Sequence, residues 1–361
     1  MNSSTNKVIN RSWQGFLADN GAVIEHGQVV SFGKPEQERK AALTTTILTD
    51  LSPLGLIKVS GEDSVDFLQN QFSNDIREIS PRLSQLNAWC NAKGRMLTNL
   101  RVFQTGDDYF LLLTRELLEA TLKRLRMFVL RSKVTLEDVS DEWLSIGLAG
   151  NDALTLLARQ IDEQPEKTDQ VVDENGLIVI RLAGDTPRYQ IHGQLPDIRS
   201  FWQTLQTEAT PVGYPVWNWL EIQAGIPDIV TNTKEAFVPQ MVNYSTLGGI
   251  SFTKGCYPGQ EVVARMHYLG KLKRRMYLAH VETESLPEAG ENLFPTGESE
   301  PQSCGKVVRA ERAPDGGVDL LAVLQIAVAE TPWGKSGIRL GSENGPTLHL
   351  QDDPYPVDNK A

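Results

Sequence analysis

Residues Phe252–Lys271 read FTKGCYPGQEVVARMHYLGK. The centre of the stretch is Lys254-Gly255-Cys256-Tyr257-Pro258-Gly259-Gln260-Glu261. Glycines on both sides of the cysteine allow φ > 0 and leave the thiol approachable. Pro258 presets a turn and biases Tyr257 away from helix. Lys254 sits close before the thiol, and a nearby cation favours thiolate over thiol. The same residues also fit a buried structural cysteine in a tight turn, because free cysteine is among the most buried residue types. Both readings stand on the residues alone.

Further motifs lie upstream: Ala224-Gly225-Ile226-Pro227, Val238-Pro239-Gln240 with Asn243, and Leu247-Gly248-Gly249-Ile250-Ser251-Phe252. Together with Lys254-Gly255-Cys256-Tyr257-x-Gly259-Gln260-Glu261 they resemble the YgfZ family. These are folate-binding, tRNA-modification-linked proteins that assist iron–sulfur enzymes, related to the glycine-cleavage T-protein and to a mitochondrial iron–sulfur assembly factor. The resemblance reaches back to about Leu54 and does not place the first fifty residues.

The resemblance implies site residues. Cys256 would be the reactive group, Lys254 would bias it toward thiolate, and Gln260 and Glu261 would order the turn. Trp217, in Tyr214-Pro215-Val216-Trp217-Asn218-Trp219-Leu220, matches a family tryptophan that contacts folate. Without the resemblance it reads as core packing. A second family tryptophan falls on Leu54, which can line the same wall without stacking as strongly. Gln223 replaces the glutamate of Glu-Ala-Gly-Ile-Pro, and an amide offers pterin a different donor and acceptor set. Asn91 replaces the aspartate of Asp-Ala-Lys-Gly. An amide cannot take up a proton near neutral pH, which disfavours T-protein-type aminomethyl transfer. Lys93-Gly94-Arg95 either holds the glutamate tail of folate or is an exposed turn. Trp217 and Leu54 are expected to line one cleft with Asn91 or Lys93.

Composition sets bounds. The chain has 361 residues, a net charge of −11, 40% hydrophobic and 22% charged residues. That length admits two or three domains with their own cores. The acidity argues against whole-surface nucleic-acid binding, which works by phosphate neutralisation. Three cysteines, at 90, 256 and 304, show no paired spacing, so no metal site or four-thiolate cluster is expected. The start, MNSSTNKVINRSWQ, lacks an apolar core, and no run is long enough to span a membrane. A reducing cytoplasm is the expected location.

Along the chain, Val29–Gly33 reads as a short strand and Lys34–Lys40 as a solvated charged piece. Leu56–Val59 is a strand, followed by a helix capped by Asp63 or Ser64 with Val65, Leu68 and Phe72 on its apolar face. Met96–Val102 and Tyr109–Leu113 form a hairpin about Gly106-Asp107-Asp108. Thr114 precedes a helix burying Leu118, Leu122, Leu125 and Val129. Lys133–Leu136 and Leu144–Leu148 are strands. Asn151 starts a helix burying Leu154, Leu157, Ala158 and Ile161, and Gln164–Asn175 is a polar excursion. Leu177–Leu182 and Tyr189–Ile191 are strands; Ile198, Phe201, Trp202 and Leu205 mark a helix face. Hairpin signals among the helices favour α+β sheets with mixed pairing.

After Lys273 the runs Met276–Val281, Cys304–Ala310, Val318–Val328, Gly337–Leu340 and Thr347–Leu350 alternate with Pro- and Gly-rich turns. They predict a small β-barrel with little helix. The T-protein-like architecture implied by the resemblance also ends in one. The expected organisation is an N-terminal segment to residue 50 and a folate-binding α+β region over 51–272, its second subdomain near 137–210. A barrel over 273–351 and a tail over 352–361 complete it.

Two basic runs interrupt the acidity. One is Lys123, Arg124, Arg126, Arg131 and Lys133; the other is Arg265, Lys271, Lys273, Arg274 and Arg275, with His267 and Tyr268 interleaved. Each is a solvated face or a local patch for an acidic partner. The implied function is folate-dependent assembly or repair of iron–sulfur clusters in client enzymes such as tRNA methylthiotransferases, with an indirect tRNA link and no membrane. A folate-dependent C1 transferase and a non-catalytic RNA-binding adaptor are the alternatives.

Overall fold

The computed structural model describes residues 3–296, 302–331 and 337–357, with side chains from residue 11 onward. The expected barrel and tail ranges include residues outside that set. The chain forms two compact units, each assembled from separate stretches of sequence. The first comprises Met1–Phe67, Arg77–Gln85 and Arg101–Leu220; the second comprises Leu68–Ile76, Leu86–Leu100 and Glu221–Ala361.

In the first unit, a six-stranded sheet runs in the order Val171–Glu174, Leu177–Arg181, Arg188–Gln194, Trp143–Ala149, Ile47–Asp50, Thr210–Val212. All neighbours are antiparallel except Thr210–Val212 beside Ile47–Thr49. Alternation along the strands decides what each face buries. Leu144, Ile146, Leu148, Tyr189 and Ile191 pack with Trp13, Leu17, Phe201 and Trp202 from the helices Ser3–Asp19 and Leu195–Leu205. The opposite face carries Ser145, Gly147, Arg188, Gln190 and His192. The expected helix face of Ile198, Phe201, Trp202 and Leu205 is buried throughout.

A five-stranded sheet has the order Gln85–Cys90, Met96–Thr105, Asp108–Thr114, Leu54–Ser60, Thr135–Asp138. The expected hairpin is its Arg101–Thr105 and Asp108–Leu112 pairing. The helix Arg115–Arg126 buries Leu118, Leu122 and Leu125 as expected; Val129 lies beyond its end. The helix after Asn151 is shorter than the periodicity suggests, Ala153–Leu157, and leaves Ala158 exposed.

Three readings need correction. Lys34–Lys40 is mostly helix, Pro35–Thr44, and its Glu38 points inward. The Glu38 carboxylate accepts from the amides of Phe32, Lys34 and Gly213, so a charged residue serves as a buried anchor. Within the polar excursion, Val171–Glu174 is an edge strand paired with Leu177–Ile180. The run Val318–Val328 divides at Gln325 into a strand and a single helical turn, Ile326–Ala329.

In the second unit, six strands close a barrel in the order Arg274–Val281, Val318–Gln325, Gly305–Arg312, Asn292–Pro295, Ile338–Leu340, Thr347–Leu350. Val318, Leu320, Ala322 and Leu324 alternate into its core beside Val307, Leu293 and Leu348. The barrel is therefore as expected. Asn292–Pro295 is the strand that the sequence did not announce, because Pro295 and its short length hide the alternation.

Candidate functional site

The second unit holds the cysteine turn. The helix Ser64–Gln69 ends without enough partners for its last carbonyls, as helix C-termini do. Lys254 supplies a donor there. Its buried ammonium donates to the carbonyls of Gln69 at 2.8 Å, Phe72 at 2.7 Å and Asn74 at 2.6 Å. It also lies 5.4 Å from the ring centre of buried Tyr257. The Lys254 amide donates to Ser251 Oγ, and Gln260 Nε2 donates to the Lys254 carbonyl at 3.3 Å. Gln260 thus bonds across the turn. Glu261 is exposed in the first turn of the helix Gln260–Leu269, where a carboxylate suits the positive helix end.

Of the three thiols, Cys256 is exposed, while Cys90 and Cys304 are buried. Burial pushes the Cys90 thiol up to about 12, leaving it inert. The expectation of φ > 0 holds at Gly259, at +82°, but not at Gly255, where an added Cβ would meet nothing within 4 Å. Gly255 is thus not required by backbone geometry.

A second motif, distant in sequence, meets this turn. Asn91 Oδ1 accepts from the amides of Lys93 and Arg95, and the Asn91 and Arg95 backbones close the loop. Gly94, at φ +70°, faces Gly259. A Cβ on Gly259 would lie 2.5 Å from the Asn91 carbonyl oxygen and 2.7 Å from Gly94 Cα. A Cβ on Gly94 would lie 3.0 Å from Val262 Cβ and 3.3 Å from the Gly259 carbonyl oxygen. The two turns touch backbone to backbone. Lys93 is exposed, whereas Arg95 donates to the Ala236 carbonyl at 2.6 Å. Arg95 is therefore engaged by the protein rather than presented to solvent. Asn91 holds its own turn, a task an aspartate would do equally well.

Gln223 is also in the second unit. Its amide donates to Asp319 at 2.9 Å, and Asp319 pairs with His280 at 2.7 Å. Burial alone would lower the His280 pKa, but its bond to Asp319, the charge of Asp319 and Glu282 together raise it.

Trp217 and Leu54 belong to the first unit, where Leu54 packs against the cluster that contains Trp217. Trp217 is enclosed, at 1% exposure. Its ring fills the space beside Gly147, where a Cβ would lie 2.5 Å from Cζ3, and the Arg188 guanidinium sits 5.6 Å from its centre. Arg188, Gln190 and His192 share that sheet face, and Gln190 is the register partner of Gly147. Among the described residues Gln190 Oε1 and His192 Nε2 are buried without a hydrogen-bond partner. His192 Nδ1 pairs with Ser145 Oγ at 2.8 Å and its ring stacks on Phe103. Burial, and then the charge of Arg101, lower its pKa to about 3, so it is neutral in the working range. From the sequence His192, like His280 and His349, reads as a satisfied structural histidine in a strand-like run, and Gln190 is not singled out; polar residues alternating with apolar ones along the strand were the available signal.

The basic runs are not uniform patches. Lys133 pairs with Glu62, and Arg126 donates to the Leu136 carbonyl. Arg275 is buried and pairs with Asp353. Met127 and Leu130 are exposed in the first run, Tyr268 and Leu269 in the second. Among the described residues no group of three or more His, Cys, Asp or Glu is placed to hold a metal ion, and no helix is long and apolar enough to cross a membrane.

Known proteins resemble this chain at several levels. The family model of the GCVT N-terminal domain matches residues 21–171. The tRNA-modifying protein YgfZ of Colwellia psychrerythraea is 34% identical over 285 residues, covering 79% of this chain and 87% of that protein. The tRNA-modifying protein YgfZ of Escherichia coli strain SE11 is 33% identical over 325 residues, covering 90% and 98%. Among solved structures, aminomethyltransferase T of the glycine cleavage system from Bartonella henselae superposes with a TM-score of 0.78 over 95% of this chain and 96% of that one. At 16% identity that likeness shows a shared fold.

Proposed function

The chain belongs to the YgfZ family of tRNA-modifying proteins, and from that premise we propose that it is a folate-binding accessory factor acting through the Cys256 thiol. Its clients would be iron–sulfur enzymes such as tRNA methylthiotransferases, whose clusters it helps to assemble or repair in the cytoplasm. The observation that carries the reading is the exposure of Cys256 beside two buried thiols, on a turn held by Lys254 and Gln260. A soft, accessible sulfur can serve as a nucleophile or a transient cluster ligand. Asn91 cannot act as a proton acceptor, so aminomethyl transfer is the weaker alternative.

Folate fits the first unit on one criterion. Among the described residues Gln190 Oε1 is a buried acceptor without a partner and His192 Nε2 a buried ring nitrogen without one, on the sheet face that packs Trp217. An unmet buried acceptor favours a ligand that donates, and a pterin carries amino and ring N–H donors. Gln190, His192 and Trp217, with Leu54 behind them, would hold it. In the second unit Lys93 is exposed, while Gln223, Asn91 and Arg95 already have partners. When bound, the folate would supply one-carbon or redox chemistry.

Two experiments test the proposal. Alkylation of each cysteine, with complementation of a tRNA methylthiolation defect, addresses the thiol. Cys256 should react fastest and Cys256→Ser should fail to complement. Equal rates at all three thiols and full complementation would sink this part. Tetrahydrofolate titration followed by tryptophan fluorescence addresses the cofactor. Gln190→Leu should weaken binding about tenfold or more, by leaving a donor of the ligand unpaired; undiminished affinity in that variant and in Trp217→Ala would exclude this pocket.

A further inference from the structure

The buried ammonium of Lys254 needs partners for its protons. Here three main-chain carbonyls, of Gln69, Phe72 and Asn74, receive it. An ammonium has three protons, so each carbonyl is matched by one. The segment that supplies the carbonyls is tied to the cysteine turn at other points too. Ser73 Oγ donates to the Gly249 carbonyl at 2.6 Å, Asn74 Nδ2 to the Gly248 carbonyl at 2.7 Å, and the Ser251 amide to the Ser73 carbonyl at 3.0 Å. Residues 69–74 and 248–254 are thus cross-linked along their length, with Lys254 closing the last point before the thiol.

We propose that Lys254 is a positioning residue for Cys256: its caged ammonium locks the cysteine turn to the Gln69–Asn74 segment, so the two order together. Its charge is not the agent that activates the thiol. This rests on the reading of Cys256 as the reactive group. It replaces the expectation that Lys254 acts chiefly by favouring thiolate. The consequence is regulatory: an event that moves Gln69–Asn74 also moves the thiol.

The test compares the full chain with Lys254→Met and Lys254→Arg. Arginine keeps the charge, but its planar fork cannot aim three donors from one atom at three converging carbonyls. Amide exchange at Ser73 and Ser251 is measured, together with the pH dependence of Cys256 alkylation. The cage predicts that both variants exchange at least about tenfold faster, as a local opening would. The alkylation plateau should change in both, while its pH midpoint moves by less than about 0.3 units. A midpoint raised by about one unit in Lys254→Met, with Lys254→Arg like the parent and exchange unchanged, would overturn the proposal in favour of charge activation. Should both variants fail to fold, the parent chain still decides. Side-chain NMR of the Lys254 ammonium should show protons protected from solvent, and rapid exchange would refute the cage. None of these readouts needs tRNA modification. A Cys256→Ser chain that complements fully would remove the role of the thiol while leaving the cage measurable.

Discussion

The barrel and the irregular stretch Gly225–Gly259 solve the same problem in opposite ways. In the barrel each strand's amides and carbonyls meet a neighbouring strand, and the side chains need only alternate. The stretch has only two short 3-10 turns among its described elements, Thr231–Thr233 and Pro239–Val242. Its backbone groups are met partly by scattered main-chain bonds, such as Glu235 to Met96 and Ser251 to Ser73, and partly by particular side chains. Asn99 donates to the Pro227 carbonyl and accepts from the Ile229 amide; Arg95 takes the Ala236 carbonyl. Ser73 and Asn74 take those of Gly249 and Gly248, and Tyr355 takes that of Gly225. Gln240 and Asn243 reach outward to the carbonyls of Val263 and Met276. Buried backbone must be paired somewhere. A ladder accepts many sequences, whereas a clasp requires one donor of one length at one place. The barrel is a pattern, and the site is a set of named residues.

Substitutions can separate the two modes. Leu320 is fully buried in the barrel, and Leu320→Ala should cost about 3 kcal/mol of global stability in urea unfolding. Native-state alkylation of Cys256 should stay unchanged; acceleration would mean that barrel and site are one cooperative element. Gly259→Ala should cost about 2 kcal/mol, since it combines φ +82° with the close approach to Asn91. Here the signature should be local, with faster amide exchange at Gly94 preceding any change in the urea midpoint of the barrel. Ser73→Ala removes one clasp and should cost about 1–2 kcal/mol, because the Gly249 carbonyl and the Ala88 amide lose a partner. A neutral result would show that the clasps follow the fold and do not determine it.

Charge offers a finer contrast, since the clasps of the stretch end on neutral carbonyls while the barrel wall carries His280 against Asp319. The His280 pKa is raised in the folded chain. Its contribution is therefore fully present below the unfolded value of about 6.5 and is lost as pH rises through the folded value. The barrel should lose less than about 1 kcal/mol over that rise, the pair being partly solvated, and His280→Gln should flatten the slope. The smallest effect belongs to Cys256→Ser, which should alter stability by less than about 0.5 kcal/mol because the side chain is exposed. A larger loss in thermal unfolding would make Cys256 architectural.

The same distinction explains what was legible in the sequence. The strands Val318–Gln325 and Arg274–Val281 could be read because alternation is a one-dimensional signal. The helix face of Ile198, Phe201, Trp202 and Leu205 was legible for the same reason. Glu38 was misread because charge suggests solvent, and nothing local announces the distant amide of Gly213 that it also accepts from. The octapeptide marked the site, but the task of Lys254 depends on carbonyls from residues 69–74, which no spacing reveals. Gln190 escaped notice, and His192 read only as a satisfied structural histidine, because their polarity gains meaning only once both faces of the strand are known to be buried.

The back-to-back glycines of the two turns also impose an evolutionary constraint. A Cβ at 94 would crowd Val262 at 3.0 Å and the Gly259 carbonyl at 3.3 Å, on a backbone at φ +70°, and one at 259 would strike the Asn91 carbonyl and Gly94 itself. Shrinking a neighbouring side chain cannot relieve the strain of the left-handed backbone at either position, nor the main-chain clash at 259. Neither position can drift first and wait for the other to compensate. Across divergent descendants the two glycines should be retained as a pair or lost together with the turn, so their joint presence marks chains that keep this arrangement even where the cysteine has been replaced.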